Sequence, residues 1–312
     1  MASIGFIGLG RMGMPMSARL VAAGHRLLGF DLSDAIRARF AEQGGEPVSS
    51  PEEAAAADVV ILMLPDSAAV ASVVADSGFS AAIRPETTII DMGSSEPMAT
   101  RALAGAMAER GVRFFDAPVS GGVRGAEDGK LTIMVGSPED AFAALADLLS
   151  PLGRVVHAGE VGSGHAIKAL NNLLSATHLM ATNEAIRVGK NFGLDPKVML
   201  DIINSSSGRS GSSEVKWPRF ILNETYDSGF ALRLMLKDMK IAVGLGEEVG
   251  APMALGKDAE MLWEEAAAIL PATADHTFVA TWSGPVEGEL PSRKPAAPED
   301  YDRRDDHVTK SC

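Results

Sequence analysis

Three glycines set directly behind a short apolar run constrain this chain more than any other feature. Residues 4–7 read Ile-Gly-Phe-Ile, and Gly8-Leu9-Gly10-Arg11-Met12-Gly13 follows at once. In a strand–turn–helix unit, the first glycine permits the tight turn after the strand. The second lets backbone amides approach a pyrophosphate, and the third lets the helix pack closely on the sheet. The phosphates then sit at the positive end of that helix. Glycine turns are common, so context decides. Here a strand pattern precedes the cluster, a helical pattern follows it, and a second strand pattern ends in an acid, Asp31.

Asp31 lies eighteen residues past Gly13, close to the spacing of about 20 at which an acid meets the ribose of a dinucleotide. A carboxylate there accepts from the 2′-hydroxyl and repels a 2′-phosphate. Leu32 and Ser33 supply no arginine to hold such a phosphate. NAD is therefore favoured over NADP. Alternatively, Asp31 or Ser33 only caps the next helix, which leaves the cofactor preference open.

The pattern repeats through the first half. Residues 4–8, 27–31, 59–64, Thr88–Asp91 and Arg113–Asp116 are short apolar runs that end in turn chemistry, as strands buried on both faces do. Between them, residues 12–23, Asp34–Glu42, Ser67–Ala75 and 98–110 carry helical spacing. This alternation predicts a Rossmann-type, doubly wound parallel sheet, with 131–135 and 154–157 as later edge strands. Past Gly164 the pattern changes. Residues 165–191 hold no proline and read as one long helix, and 197–204, 230–249 and 252–268 are helical too. We expect a dinucleotide-binding domain over 1–163, an all-helical domain over 164–284, and a loosely attached, proline-rich tail over 285–312.

Two further strand ends belong beside a bound dinucleotide, because ligands in such sheets lie at the carboxyl ends of the strands. They are Leu64-Pro65-Asp66 and Gly93-Ser94-Ser95, and simple turn chemistry accounts for both equally well. The segment Asp116-Ala117-Pro118-Val119-Ser120-Gly121-Gly122 sets a hydroxyl beside two unshielded backbone amides, which suits a carboxylate; the bland reading is a tight turn. In Gly162-Ser163-Gly164-His165-Ala166-Ile167-Lys168-Ala169-Leu170-Asn171-Asn172, Lys168 and Asn172 share a helix face. A lone helical lysine is usually solvated, but the apolar flanks here point to burial. Burial lowers a lysine's pKa towards the range useful for proton transfer. Lys237-Asp238 reads as an ion pair on a helix face or as part of the same site.

Composition excludes other classes. A net charge of −13 over 312 residues argues against nucleic acid, although a few local cations can still hold an anionic substrate. The single cysteine, Cys312, can build neither a disulfide within the chain nor a thiolate metal site, and no metal is expected. The apolar stretches are too short to span a bilayer, and the start of the chain reads as strand and turn, not as a secretory signal. A cytoplasmic protein without membrane contact is expected.

Taken together and in this order, the glycine cluster, 116–122, 162–172 and 237–238 resemble the β-hydroxyacid dehydrogenase family, over residues 3–275. The resemblance implies hydride transfer between NAD and a short β-hydroxy acid, of the 3-hydroxyisobutyrate or 2-hydroxy-3-oxopropionate kind. It implies Lys168 as the catalytic acid–base. Ser120, Gly121, Gly122, Asn172 and Lys237 would hold substrate, with Lys237 also at the nicotinamide. Gly8 to Gly13, Asp31, Leu64, Pro65 and Ser94 would hold the cofactor. It also implies a homodimer or homotetramer. The chain departs from the family at Gly93-Ser94, where Ser-Thr is frequent, and at 204–210, which matches no single branch. It lacks the insertion of the decarboxylating sugar-phosphate enzymes. Two other readings stay open: an NADPH-dependent aldehyde or imine reductase on the same scaffold, and a dinucleotide sensor without turnover.

Overall fold

The structure, a computed structural model, describes residues 2–284. The expected tail over 285–312, with Cys312, lies outside them.

The first part alternates strand and helix: β1 (Ser3–Ile7), α1 (Gly13–Ala22), β2 (Arg26–Phe30), α2 (Asp34–Glu42), β3 (Glu46–Pro47), α3 (Pro51–Ala55), β4 (Val59–Leu62), α4 (Ser67–Ala75), α5 (Ser77–Ala82), β5 (Thr88–Asp91), α6 (Pro97–Ala108) and β6 (Arg113–Asp116). These six strands lie in the order β3-β2-β1-β4-β5-β6, all parallel. The strand order reverses between β1 and β4, and the crevice beyond such a reversal is where ligands bind. The chain goes on through β7 (Val119–Ser120), α7 (Gly122–Asp128), β8 (Leu131–Gly136), α8 (Glu139–Leu149) and β9 (Gly153–Gly159). β8 joins the edge antiparallel to β6, with Asp116 opposite Gly136, and β9 runs parallel to β8.

Period-2 alternation gives the sheet two cores. Ile4, Phe6, Leu27, Ile61, Ile90 and Phe115 pack on one face. Ile7, Phe30, Val60, Leu62, Ile89 and Phe114 pack on the other, against α3 to α6. Both faces are covered, as the continuous apolar runs imply. Gly5, in the middle of β1, has a packing reason: a Cβ there would stand 2.1 Å from the carbonyl oxygen of Ala54 on α3.

The remainder is helical: α9 (Ser163–Phe192), α10 (Pro196–Asn204), a π-helical stretch (Ser212–Ile221), α11 (Leu232–Glu248) and α12 (Ala254–Ile269). At about 1.5 Å per residue, the 30 residues of α9 extend roughly 45 Å. It packs on β8 at one end and on α10, α11 and α12 further along. Leu179, Met239 and Trp263 centre a separate helical core. A Rossmann sheet followed by an all-helical region is the architecture the sequence implies. The antiparallel β8 and the π-helical stretch are additions. Among the described residues, no helix is long and apolar enough to cross a membrane.

Candidate active site

The glycine loop meets the steric demands of a dinucleotide seat. Gly8 has φ +97°, and a Cβ on it would lie 2.3 Å from the oxygen of Met63. A Cβ on Gly13 would lie 1.9 Å from the oxygen of Gly8, which is how closely α1 approaches the strand. Above Gly10 there is open space, with nothing within 4 Å of a built Cβ. The start of α1 has no side-chain cap, so no side chain occupies its positive end, although the Met14 N–H already meets the Gly10 oxygen at 3.0 Å. These residues fit a dinucleotide pyrophosphate.

Asp31, at the end of β2, is bound on both oxygens. Oδ2 accepts from the Leu9 N–H at 2.9 Å and Oδ1 from the Ser33 N–H at 3.0 Å. Ser33 provides the cap of α2, accepting from the Ile36 N–H at 3.4 Å. Ser33, and not Asp31, therefore caps α2. The structure also brings in an arginine that a search of Leu32 and Ser33 misses. Arg37, one turn into α2, donates to the main-chain oxygen of Asp31 and to the Asp34 carboxylate. Its guanidinium carbon stands 5.6 Å from the centre of the Phe30 ring. The signal available in the sequence was helical: four residues past the cap, a side chain turns back towards the strand end.

Leu64 and Pro65 wall the same cleft, and Asp66 caps α4 by accepting from the Ala69 N–H at 2.9 Å. The β5 turn is fixed by Asp91, which accepts from the Gly93 N–H at 2.9 Å and the Ser95 hydroxyl at 2.6 Å. Ser94 lies on the cleft wall, and its carbonyl oxygen accepts from Lys237 Nζ at 2.6 Å.

The cleft has a volume of about 340 Å³. Gly10, Arg11, Met12 and Gly13 line one side, and Ser120, Gly121 and Gly122 another. Lys168, Phe230, Lys237 and Asp238 close it from the helical part. Lys168 is 8% exposed, and its Nζ lies 5.9 Å from the centre of the Phe230 ring. Burial pulls its pKa below the usual lysine value; Asp238 opposes that shift and Lys237 adds to it.

Asn172 stands behind this wall, not on it. It is buried and donates through Nδ2 to Asp238 Oδ2 at 2.6 Å, while Asn171 donates to Asn172 Oδ1 at 3.2 Å. Asp238 Oδ1 is 3.2 Å from Lys237 Nζ. Lys237 and Asp238 therefore do not form a pair on a solvated face: Asp238 is fully buried and links Asn172 to Lys237. Behind Phe230, Asp275 accepts from the N–H groups of Gly229 at 2.8 Å and Phe230 at 3.1 Å, which holds the turn that carries the ring.

α9 has no side-chain cap of its own sequence at Gly162. The cap comes from Asp116 at the end of β6, which accepts from the Gly162 N–H at 2.6 Å and the His165 N–H at 2.8 Å. Burial pushes the Asp116 carboxyl above the usual carboxylate range, against the pull of His165 and these N–H groups. The Thr100 hydroxyl lies 2.8 Å from His165 Nδ1. The helix of Lys168 and the strand leading to Ser120 are thereby tied to each other.

A dinucleotide seat facing a buried amine defines a nicotinamide-dinucleotide-linked oxidoreductase. The comparisons agree. Residues 3–162 match the family model for the NAD binding domain of 6-phosphogluconate dehydrogenase, and 162–282 match that for NAD-binding of NADP-dependent 3-hydroxyisobutyrate dehydrogenase. The chain is 39% identical to 2-(hydroxymethyl)glutarate dehydrogenase of Eubacterium barkeri, over 84% of this chain and 88% of that one. It is 37% identical to 3-hydroxyisobutyrate dehydrogenase of Pseudomonas aeruginosa, over 84% and 91%. The solved structure of Mycobacterium tuberculosis 3-hydroxyisobutyrate dehydrogenase with L-serine superposes with a TM-score of 0.85 at 34% identity, covering 90% of this chain and 98% of that one. The chain belongs to the β-hydroxyacid dehydrogenase family and is an NAD(P)-dependent 3-hydroxyacid dehydrogenase. The imine-reductase and sensor readings have less behind them.

Proposed function

We propose that the chain exchanges hydride between NAD and a short β-hydroxy acid, with Lys168 as the general acid–base. The observation that carries this reading is the buried Lys168 amine on the wall of a cleft shared with Gly10–Gly13 and Ser120–Gly122. When bound, the nicotinamide supplies the hydride acceptor. The Ser120 hydroxyl and the N–H groups of Gly121 and Gly122 hold the substrate carboxylate. Lys168, inclined to release its proton, takes the hydroxyl proton in oxidation; in reduction it returns a proton and stabilises the forming oxyanion. Asn172 acts through Asp238, and Lys237 bridges from α11 to the Ser94 carbonyl, closing the cleft.

Relatives named for 3-hydroxyisobutyrate and 2-(hydroxymethyl)glutarate, and the solved relative with L-serine, support a hydroxyl one carbon beyond the α position. The Asp31 carboxylate, held by two N–H groups, favours a 2′-hydroxyl and hence NAD. The division between the two domains falls at 163/164, where the last strand has given way to α9. A homodimer or homotetramer is supported by Ile167, Leu170 and Leu174, which expose one apolar face of α9.

The test is reduction of NAD against a panel of β-hydroxy acids by wild-type and Lys168→Ala chains. The expected result is turnover on at least one short β-hydroxy acid and a loss of about 10²- to 10⁴-fold in the variant, with NAD binding retained. A variant that turns over at the wild-type rate would sink the assignment.

A further inference from the structure

The surroundings of Asp31 contain a cation that hydride transfer does not use. Arg37 donates to the main-chain oxygen of Asp31 and pairs with Asp34. Its own side chain is 21% exposed, while that of Asp34 is 92% exposed. The guanidinium lies 5.6 Å from the centre of the Phe30 ring and is bound to the Asp31 main-chain oxygen, which places it beside the strand end where the proposed reading puts the ribose. Its partner Asp34 reaches into solvent, where a surface ion pair is weak and readily exchanged.

Asp31 is held more firmly. The Leu9 and Ser33 N–H groups each occupy one carboxylate oxygen, so the group cannot swing away from an incoming phosphate. Selectivity at the 2′ position is then a balance of two fixed neighbours: a pinned anion that repels a phosphate, and a guanidinium occupied by a replaceable partner. Guanidinium and phosphate form paired, charge-assisted hydrogen bonds, stronger than an exposed ion pair to one carboxylate.

We propose that Arg37 reads the 2′ position of the adenosine ribose: Asp31 and Asp34 hold it in check, and it becomes the anchor of a 2′-phosphate once the Asp31 charge is removed. The inference rests on the reading of this cleft as a dinucleotide site. It adds a specificity residue that the acid at the end of β2 does not reveal.

The test is calorimetric binding of NAD⁺ and NADP⁺ to the full chain as wild type, Asp31→Asn, Asp31→Asn/Arg37→Gln and Asp31→Asn/Asp34→Asn. Asp31→Ser serves as a second variant if the asparagine form does not fold. Asp31→Asn should raise NADP⁺ affinity about tenfold or more. Adding Arg37→Gln should return it to the wild-type level, and adding Asp34→Asn should raise it further. If the Asp31→Asn/Arg37→Gln chain keeps the full gain, Arg37 is not the anchor and the proposal falls. If the wild type binds neither dinucleotide, the cofactor reading fails with it, a result the variant series separates from failure of Arg37 alone.

Discussion

Asp116, the last residue of β6, accepts the main-chain N–H of His165 at 2.8 Å, so a strand end caps the helix that carries Lys168. The same carboxylate takes the Gly162 N–H at 2.6 Å. Four residues on from Asp116 the chain reaches Ser120, which lines the same cleft as Lys168. One buried acid therefore sets the spacing between the proposed proton carrier and the proposed carboxylate loop. Glycines make room for it: a Cβ on Gly136 would lie 2.2 Å from Asp116 Oδ1, and one on Gly164 would lie 2.8 Å from Oδ2.

Asp116→Ala should leave two buried helical N–H groups without acceptors, at roughly 1–3 kcal/mol each. Part of that cost is offset, because the charge of Asp116 is itself buried unfavourably. We expect a net loss of about 2–4 kcal/mol by urea denaturation, together with a fall in turnover as the first turn of α9 loosens. Asp116→Asn retains one acceptor oxygen and should fall between wild type and alanine. An alanine variant with an unmoved denaturation midpoint would show that the cap contributes nothing.

Gly164→Ala tests the same junction from the helix side. Its Cβ would stand 2.1 Å from the oxygen of Met134 on β8, a backbone atom that cannot rotate aside. Either α9 shifts off the sheet or the strand moves. The expected cost is about 1–3 kcal/mol, seen as a lowered melting temperature, with turnover reduced because Lys168 lies on the next turn. Unchanged stability and turnover would mean that the junction relaxes freely.

What could be read from the sequence was what is local. The strand, the glycines behind it and the helix after them lie within twenty residues, 3 to 22, and each glycine carries its own steric reason. The burial of Lys168 is legible because Ala166, Ile167, Ala169 and Leu170 surround it in the chain. The rest depends on distant pairings. Asp116 meets Gly162 across 46 positions, and Asn172 meets Asp238 across 66. Nothing in the periodicity around either residue signals its partner. Arg37 is hidden from a linear reading of the strand end, because the start of a helix folds its next turn back over it. The helices α3, α5 and α7 are too short for a 3.6-residue period to show.

Lys168 predicts a particular pH profile. Burial lowers its pKa below the usual lysine value, so its neutral, proton-accepting form appears at a lower pH than in a free lysine. In the oxidation direction kcat/KM should rise with pH and level off before the ordinary lysine range. Asp238 is the charge that opposes this shift. Asp238→Asn should therefore move the rising limb to lower pH, apart from any loss of amplitude through Asn172. A limb that stays in place, or moves to higher pH, would show that the titrating group is not Lys168.

His276 gives the acid side of the stability curve a separate test. Its ring is almost fully buried, and its pKa is lowered to about 4 from an ordinary 6.5. Burial is the main cause and the neighbouring Lys216 charge adds to it, while Asp275 and the Phe230 carbonyl oppose it. Between those two pH values the unfolded chain binds a proton that the folded chain refuses. Stability from this group is thus fully present above pH 6.5 and drains away as the pH falls towards 4. Asp275 holds its own pKa below the usual carboxylate value, despite its burial, through Thr277, His276 and Ser228, so it stays ionised over most of this window. Thermal unfolding of the wild type from pH 7 to pH 4 should show a steep loss in which His276 contributes one proton. In His276→Gln, a side chain that does not titrate, the loss should be shallower by that proton, whatever the variant's stability at pH 7. Equal slopes in the two chains would mean that the folded protein accommodates the imidazolium after all.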